Sequence, residues 1–347
     1  NTAMETNFWN TVQKPIIGLS PMDGVTDAAF RYIVDKYGAP SVLITEFTNV
    51  EGIVRGAVQL MSAFTYHKTN TPTVAQIFGI EEDAFYKTAF ALCEMGFSGI
   101  DINMGCPDRH IAKKGGGAGL ILQPQKAQRI IKNVKKAVQE WANGKTMEDV
   151  DLHDRITQYV SEYKKKNQIT VEKKILPVSV KTRIGFGKVV TEEWIKNLLE
   201  VEPANISLHG RTLKQMYTGQ ANWEEIGKAA ELAHKTNTLL LGNGDVKSMA
   251  DAHEKIKTYE TDGVLIGRAA FGNPWIFKGI EPTKEQLLNV LLEHCDVFMK
   301  MTPELNFLSL RKHLAWYCRG FPLAAAVRQQ LMQTKTIKDI NLIIQSL

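Results

Sequence analysis

The chain has 347 residues, of which 44% are hydrophobic, 23% charged and 8% aromatic, and its 42 Lys and Arg against 37 Asp and Glu leave a net charge of +5. That balance excludes a disordered, collagen-like or disulfide-scaffolded protein, and the length suits one large domain with a small one, or two of ordinary size. No run approaches the roughly 18 apolar residues a membrane helix needs and no basic-then-apolar leader is present, so the chain reads as soluble and cytoplasmic.

In chain order, short β-branched runs alternate with longer helical patterns. Strands are predicted at 16–20, 42–46, 73–78, 99–103, 177–183, 204–209, 238–243 and 263–267. Helices are predicted between them at 27–37, 83–95, 124–141, 191–201, 223–235 and 247–259. Several strands are apolar nearly throughout, as strands covered on both faces are. Eight strand–helix units fit an α/β fold of the (β/α)8 TIM-barrel type, whereas a doubly wound open sheet, the alternative, usually needs fewer. The polar, lysine-rich segment 143–174 interrupts the repeat and reads as a partly helical insertion. Beyond Pro282 only helical patterns remain, at 286–301, 307–319, 323–333 and 337–344. The expected division is a catalytic barrel over 1–281 and a small C-terminal helical domain over 282–347. Asn1-Thr2-Ala3 ahead of Met4 reads as an addition in front of a natural start.

Catalytic groups of such barrels sit at the C-terminal ends of strands. Here those ends carry Pro21 and Met22, Glu46, Gln76, Asn103, Lys181 and Arg183, His209 and Arg211, Asn243 to Asp245, and Gly267 and Arg268. The glycines of Asn243-Gly244-Asp245 and Gly267-Arg268 fall where backbone N–H groups can approach an anion, and loops after strands seven and eight are the usual phosphate corner. Arg268 adds a charged contact to that corner. The bland reading of both is a tight turn. No P-loop and no Rossmann fingerprint follows any strand, and Gly115-Gly116-Gly117 reads as a flexible loop.

The four cysteines, Cys93, Cys106, Cys295 and Cys318, show no C-x-x-C pair and no zinc-like spacing with His, so reduced thiols and no metal site are expected. Cys106, in Asn103-Met-Gly-Cys-Pro107 just past the fourth strand, is placed to act as nucleophile or general acid. The other three read as packed, small hydrophobes.

Six ordered motifs then carry a resemblance: Pro21-Met-Asp-Gly-Val-Thr-Asp27, Asp101-Ile-Asn-Met-Gly-Cys-Pro107, Lys181-Thr-Arg183, His209-Gly-Arg-Thr212, Asn243-Gly-Asp245 and Gly267-Arg-Ala-Ala270. Together they resemble the tRNA-dihydrouridine synthases from about residue 15 to 280, and Arg311-Lys-His-Leu-Ala-Trp-Tyr317 looks like that family's helical C-terminal domain. The His-Gly-Arg-Thr and Gly-Arg-Ala-Ala forms are closest to B-type bacterial members. The resemblance implies reduction of the C5–C6 bond of D-loop uridines in tRNA by FMN and NADPH, in a protein working as a monomer. It further implies that Cys106 donates a proton to uracil C5. Pro21, Met22 and Asp23 would line the flavin, Gln76 and Lys181 would bond its polar edge, and His209 would lie near its ribityl or phosphate end. Asn243, Gly244, Asp245, Gly267 and Arg268 would hold the ribityl chain and phosphate, while Asn103, Arg183 and Arg211 would face the uracil and RNA.

Physical chemistry is consistent with these roles. An ammonium at Lys181 stabilises negative charge on a reduced flavin, a thiol can protonate C5, and a uridine must be flipped to reach a barrel mouth. A basic face built from Arg311, Lys312, His313, Arg319 and Arg328 would meet RNA phosphates, with Trp316 and Tyr317 read as core. The chain departs from the family at Asp23, where Ala is usual, and the carboxylate is expected to point away or pair with a cation. The 143–174 insertion is also longer than the family's. Two other readings compete: an FMN barrel reducing a free pyrimidine, as dihydroorotate dehydrogenases do, and a tRNA-binding chaperone without turnover.

Overall fold

The computed structural model describes residues 6–347, so residues 1–3 lie outside the described residues. The parallel strands are β1 (Ile16–Leu19), β2 (Leu43–Ile44), β3 (Thr48–Asn49), β4 (Thr73–Phe78), β5 (Gly99–Met104), β6 (Val178–Arg183), β7 (Asn205–His209), β8 (Leu239–Asn243) and β9 (Gly263–Ile266). They run in the order β1-β9-β8-β7-β6-β5-β4-β2, with β3 also paired to β4. Backbone bonds from Ser41 to Ile17 (2.8 Å) and from Leu19 to Val42 (3.2 Å) close the remaining seam. Counting β2 and β3 as one broken strand, the sheet is an eight-stranded parallel barrel, as the sequence predicts.

Helices α1 (Phe8–Thr11), α2 (Ala28–Gly38), α3 (Val50–Val54), α4 (Glu82–Glu94), α5 (Arg109–Lys113), α6 (Pro124–Ala142), α7 (Asp154–Asn167), α8 (Thr191–Leu199), α9 (Trp223–Ala233) and α10 (Met249–Tyr259) accompany the strands. Helices α11 (Lys284–Met301), α12 (Leu308–Tyr317), α13 (Ala324–Leu331) and α14 (Ile337–Gln345) follow. Local chemistry sets several starts. Asp27 caps α2 by accepting from Phe30 N at 2.9 Å, and Thr283 with Gln286 forms a capping box on α11. In α1, the fully buried Trp9 packs in a cluster with Ile16, Val42, Val74, Leu241 and Leu265.

The last four helices enclose an apolar cluster that takes in Ala29 and Ile33 of α2 together with Leu291, Phe298, Leu314 and Tyr317. Shared residues make this a continuous contact with the barrel. Gly272 (φ +59) shows how close that contact is, because a Cβ there would lie 2.3 Å from the Trp316 backbone. Cys93, Cys295 and Cys318 are buried thiols.

The insertion is packed against the rest of the fold. Ile156, Val160 and Tyr163 of α7 are buried, and the Tyr163 hydroxyl donates to Phe64 O at 3.2 Å. Two of its lysines converge on Glu94 of α4, with Lys173 Nζ at 2.8 Å and Lys164 on the other oxygen. Trp141 Nε1 donates to the same carboxylate at 2.7 Å. Burial works against the Glu94 charge, but these hydrogen bonds outweigh it and bring its pKa down to about 2. Because the folded pKa lies below the unfolded one, this stabilisation is present above the ordinary glutamate range and is lost as pH falls from there toward 2. Glu94→Ala is expected to cost about 1.5–3 kcal/mol, the range for hydrogen bonds to charged groups, and to flatten the acid limb of stability. Urea melts of both proteins at pH 7 and pH 3 check this: equal losses at the two pH values contradict it.

Candidate active site at the mouth of the barrel

A cavity of about 900 Å³ opens at the C-terminal ends of the strands, at the large end of ligand-binding clefts. Pro21, Met22, Asp23, Asn103, Cys106, Lys181, Arg183, His209, Arg211, Asn243, Gly244, Asp245, Gly267 and Arg268 all line it. Gln76 and the strand-end Glu46 do not, and Gln76 is the one of them given a cofactor role. It lies fully buried beneath the floor, where its Nε2 donates to Asp101 at 2.8 Å and its Oε1 accepts from Asn103 at 3.1 Å.

Cys106 sits on a built loop. Asn103 Oδ1 accepts from the backbone N–H of Gly105 (3.0 Å) and of Cys106 (2.8 Å). The glycine run expected to be a flexible loop is instead buried, with Gly117 against the cysteine. Ala118 N donates to Cys106 O at 3.2 Å, and Gly117 (φ +52) comes so close that a Cβ would lie 3.0 Å from the cysteine's own Cβ. These glycines allow close approach of backbone, not motion. Burial raises the Cys106 pKa; the nearby Asp108 and Asp23 carboxylates add to this, and the Asp108 N–H and Arg183 oppose it. The thiol therefore keeps its proton at neutral pH.

Opposite charges are unevenly distributed in this cavity. Lys181 has no side-chain hydrogen bond among the described residues, and burial followed by the charge of Arg183 brings its pKa down to about 8 against the pull of Asp101. Asp101 is itself buried and raised to about 6, although Gln76 and Ser179 donate to it. His209 is pushed down to about 2 by burial and then by Arg183, Lys181, Arg211 and Arg268, so the ring is neutral. Such a concentration of cations around a neutral imidazole suits an anionic or electron-rich ligand. Near Gly267 the nearest atoms to an added Cβ are Met22 Sδ at 3.5 Å and Ser20 Cβ at 3.8 Å, so a Cβ would sit there in ordinary van der Waals contact.

Arg183 and Arg211 do not project freely toward solvent. Arg183 Nε donates to Gly105 O at 2.7 Å, and its Nη1 reaches the carbonyls of Thr212 and Met216, both at 3.3 Å. Arg211 Nη2 donates to Gly219 O at 2.6 Å and lies 2.9 and 2.7 Å from the two oxygens of Asp245. Arg268 completes this network, 2.9 Å from Asp245.

Phe47, Asp108, Met216, Tyr217 and Phe271 also line the cavity without having been singled out from the sequence, and Lys312 and Trp316, given other places there, line it too. Trp316, read as core, is only partly buried and stacks on Phe271 with centroids 3.9 Å apart, whereas Tyr317 is fully buried. Lys312 bonds Gly24 O, beside Asp23, and its charge opposes the rise that burial imposes on the Asp23 pKa. Of the five side chains expected to form one basic face, His313 does not reach the surface and the other four are each engaged with the protein, Arg319 lying 3.9 Å from Glu281. His313 is buried, Lys312 turns into the mouth, Arg311 bonds Thr334 O, and Arg328 bonds Cys318 O.

The family model described as dihydrouridine synthase (Dus) matches residues 18–148 and 147–345. A "probable tRNA-dihydrouridine synthase" of Staphylococcus aureus strain COL is 36% identical over 350 residues, covering 98% of this chain and 95% of the relative. A "probable tRNA-dihydrouridine synthase 2" of Bacillus subtilis strain 168 is 33% identical, with 98% and 96% covered. Among solved structures, a DHODH from Eimeria tenella in complex with ferulenol has a TM-score of 0.41 at 12% identity, over 65% of this chain and 60% of that one.

The raised thiol predicts that Cys106 alkylates slowly at neutral pH. Its iodoacetamide rate, followed by peptide mass spectrometry, should keep climbing past the ordinary cysteine range near 8.5. An inflection at or below that of free cysteine contradicts the assignment.

Proposed function

This chain belongs to the dihydrouridine synthase family, and from that membership we propose that it reduces the C5–C6 double bond of D-loop uridines in tRNA to 5,6-dihydrouridine, with FMN bound in the barrel mouth and NADPH as reductant. The observation that carries the reading is that Lys181 and Cys106 face one cavity, an unpaired ammonium and a thiol that holds its proton. FMN held there would supply the hydride chemistry needed at uracil C6.

The chain's own residues do the rest. Lys181 offers an ammonium to the electron-rich edge of the bound ring. Gly244, Gly267 and Arg268 form the corner suited to a phosphate. Cys106 gives its proton to C5, where hydride addition at C6 leaves carbanion character. The Asn103 hydrogen bonds hold that thiol's loop in place. Arg183 and Arg211 act by fixing loops, and Gln76 acts through Asn103 and Asp101 from beneath the floor.

Two measurements test the proposal. Bulk tRNA lacking the modification, incubated with the protein, FMN and NADPH, should gain dihydrouridine by nucleoside mass spectrometry. Cys106→Ala should slow this by roughly 10²–10⁴-fold, the range of general acid catalysis. No product with flavin bound rejects tRNA as the substrate. Separately, flavin binding should weaken as pH rises through about 8, where Lys181 loses its proton, and Lys181→Met should remove that pH dependence. A pH-independent wild type contradicts the role given to Lys181.

A further inference from the structure

Arg183 and Arg211 are buried almost completely, at 4% and 2% exposed. Burying a guanidinium is costly unless its donors are satisfied, and here each of the two donates to two backbone carbonyls of one loop, Thr212 and Met216 from Arg183, Thr218 and Gly219 from Arg211. That loop follows β7, and its large exposed apolar side chains are Met216 at 37% and Tyr217 at 60%. A segment pinned by two buried cations on both sides of a solvent-exposed aromatic is built to present that aromatic. Tyr217 lines the cavity, and the half-exposed Arg268 guanidinium lies over its ring, 5.7 Å from the centroid.

Arg183 also donates to Gly105 O, next to Cys106. One guanidinium thus fixes both the loop of the proton donor and the loop of Tyr217. Whatever stacks on Tyr217 is held in register with the face from which uracil C5 takes its proton. A nucleotide joined to the reacting uridine meets that requirement, because any base can stack on an exposed aromatic face.

We propose that Tyr217 is the stacking platform for the nucleobase adjoining the reacting uridine. The inference rests on the tRNA-dihydrouridine synthase reading. Arg268 is paired with Asp245 and given to the phosphate corner, so the aromatic face of Tyr217 is what remains to hold the base.

Steady-state kinetics of the flavin-loaded protein, with tRNA and NADPH varied in turn, test this. Base–aromatic stacking of about 1–3 kcal/mol corresponds to roughly 5–150-fold in affinity. Tyr217→Ala should raise the tRNA KM by that factor while flavin content, melting temperature and NADPH KM stay at wild-type values. Tyr217→Phe and Tyr217→Trp should restore most of the loss. An unchanged tRNA KM in Tyr217→Ala overturns the proposal. A rise confined to the NADPH KM overturns it by making the ring a reductant platform, and loss of flavin does so by making it a wall of the cofactor site. If instead the wild type makes no dihydrouridine from tRNA, the enzymatic reading itself falls, and the stacked base with it.

Discussion

The arrangement at the barrel mouth depends on an imbalance of charge. Lys181, Arg183, Arg211 and Arg268 all bear on His209, whose pKa falls to about 2. Asp245 offsets Arg211 and Arg268. Asp101, raised to about 6 beneath the floor, pulls only weakly on Lys181. The site therefore holds excess positive potential where desolvation makes charge expensive. An anionic or electron-rich ligand relieves that cost, which links the cluster to binding and to the stabilisation of charge appearing during reduction.

Around this cluster the loops are tied by side chains from neighbouring strands. Asn103 and Arg183 hold the Cys106 loop, Gly117 packs beneath it, and Arg183 with Arg211 fixes the loop of Tyr217. The C-terminal helices reach the same place: Trp316 stacks on Phe271 and Lys312 bonds Gly24 O. The helical segment is thus part of the cavity wall, and Lys312 supplies the positive charge beside Asp23, the residue that departs from the family pattern.

Elements whose signal is local were legible in the sequence. The strand over Thr73–Phe78 matches its prediction residue for residue, and the helices after it fall within a few residues of theirs. The second strand was read as continuous but is split into β2 and β3. Between them Thr45 turns its hydroxyl to Gln76 N and Glu46 turns its carboxylate to Gly24 N, and burial, followed by the charge of Asp27, lifts that carboxyl to about 7. The lining residues were largely legible because strand ends are fixed by topology. What Arg183 and Arg211 do was not, since both donate to backbone carbonyls of the loop after β7, which no side-chain pattern marks. Nor was the packing of the glycine run or of the insertion, both of which depend on contacts far apart in sequence.

The most direct test of the account is an anaerobic single turnover. Protein carrying reduced flavin is mixed with unmodified tRNA, and with a free pyrimidine such as orotate in a parallel run. The account predicts that tRNA reoxidises the flavin with one dihydrouridine formed per flavin, and that the free pyrimidine leaves it reduced. Reoxidation by the free pyrimidine with none by tRNA contradicts it.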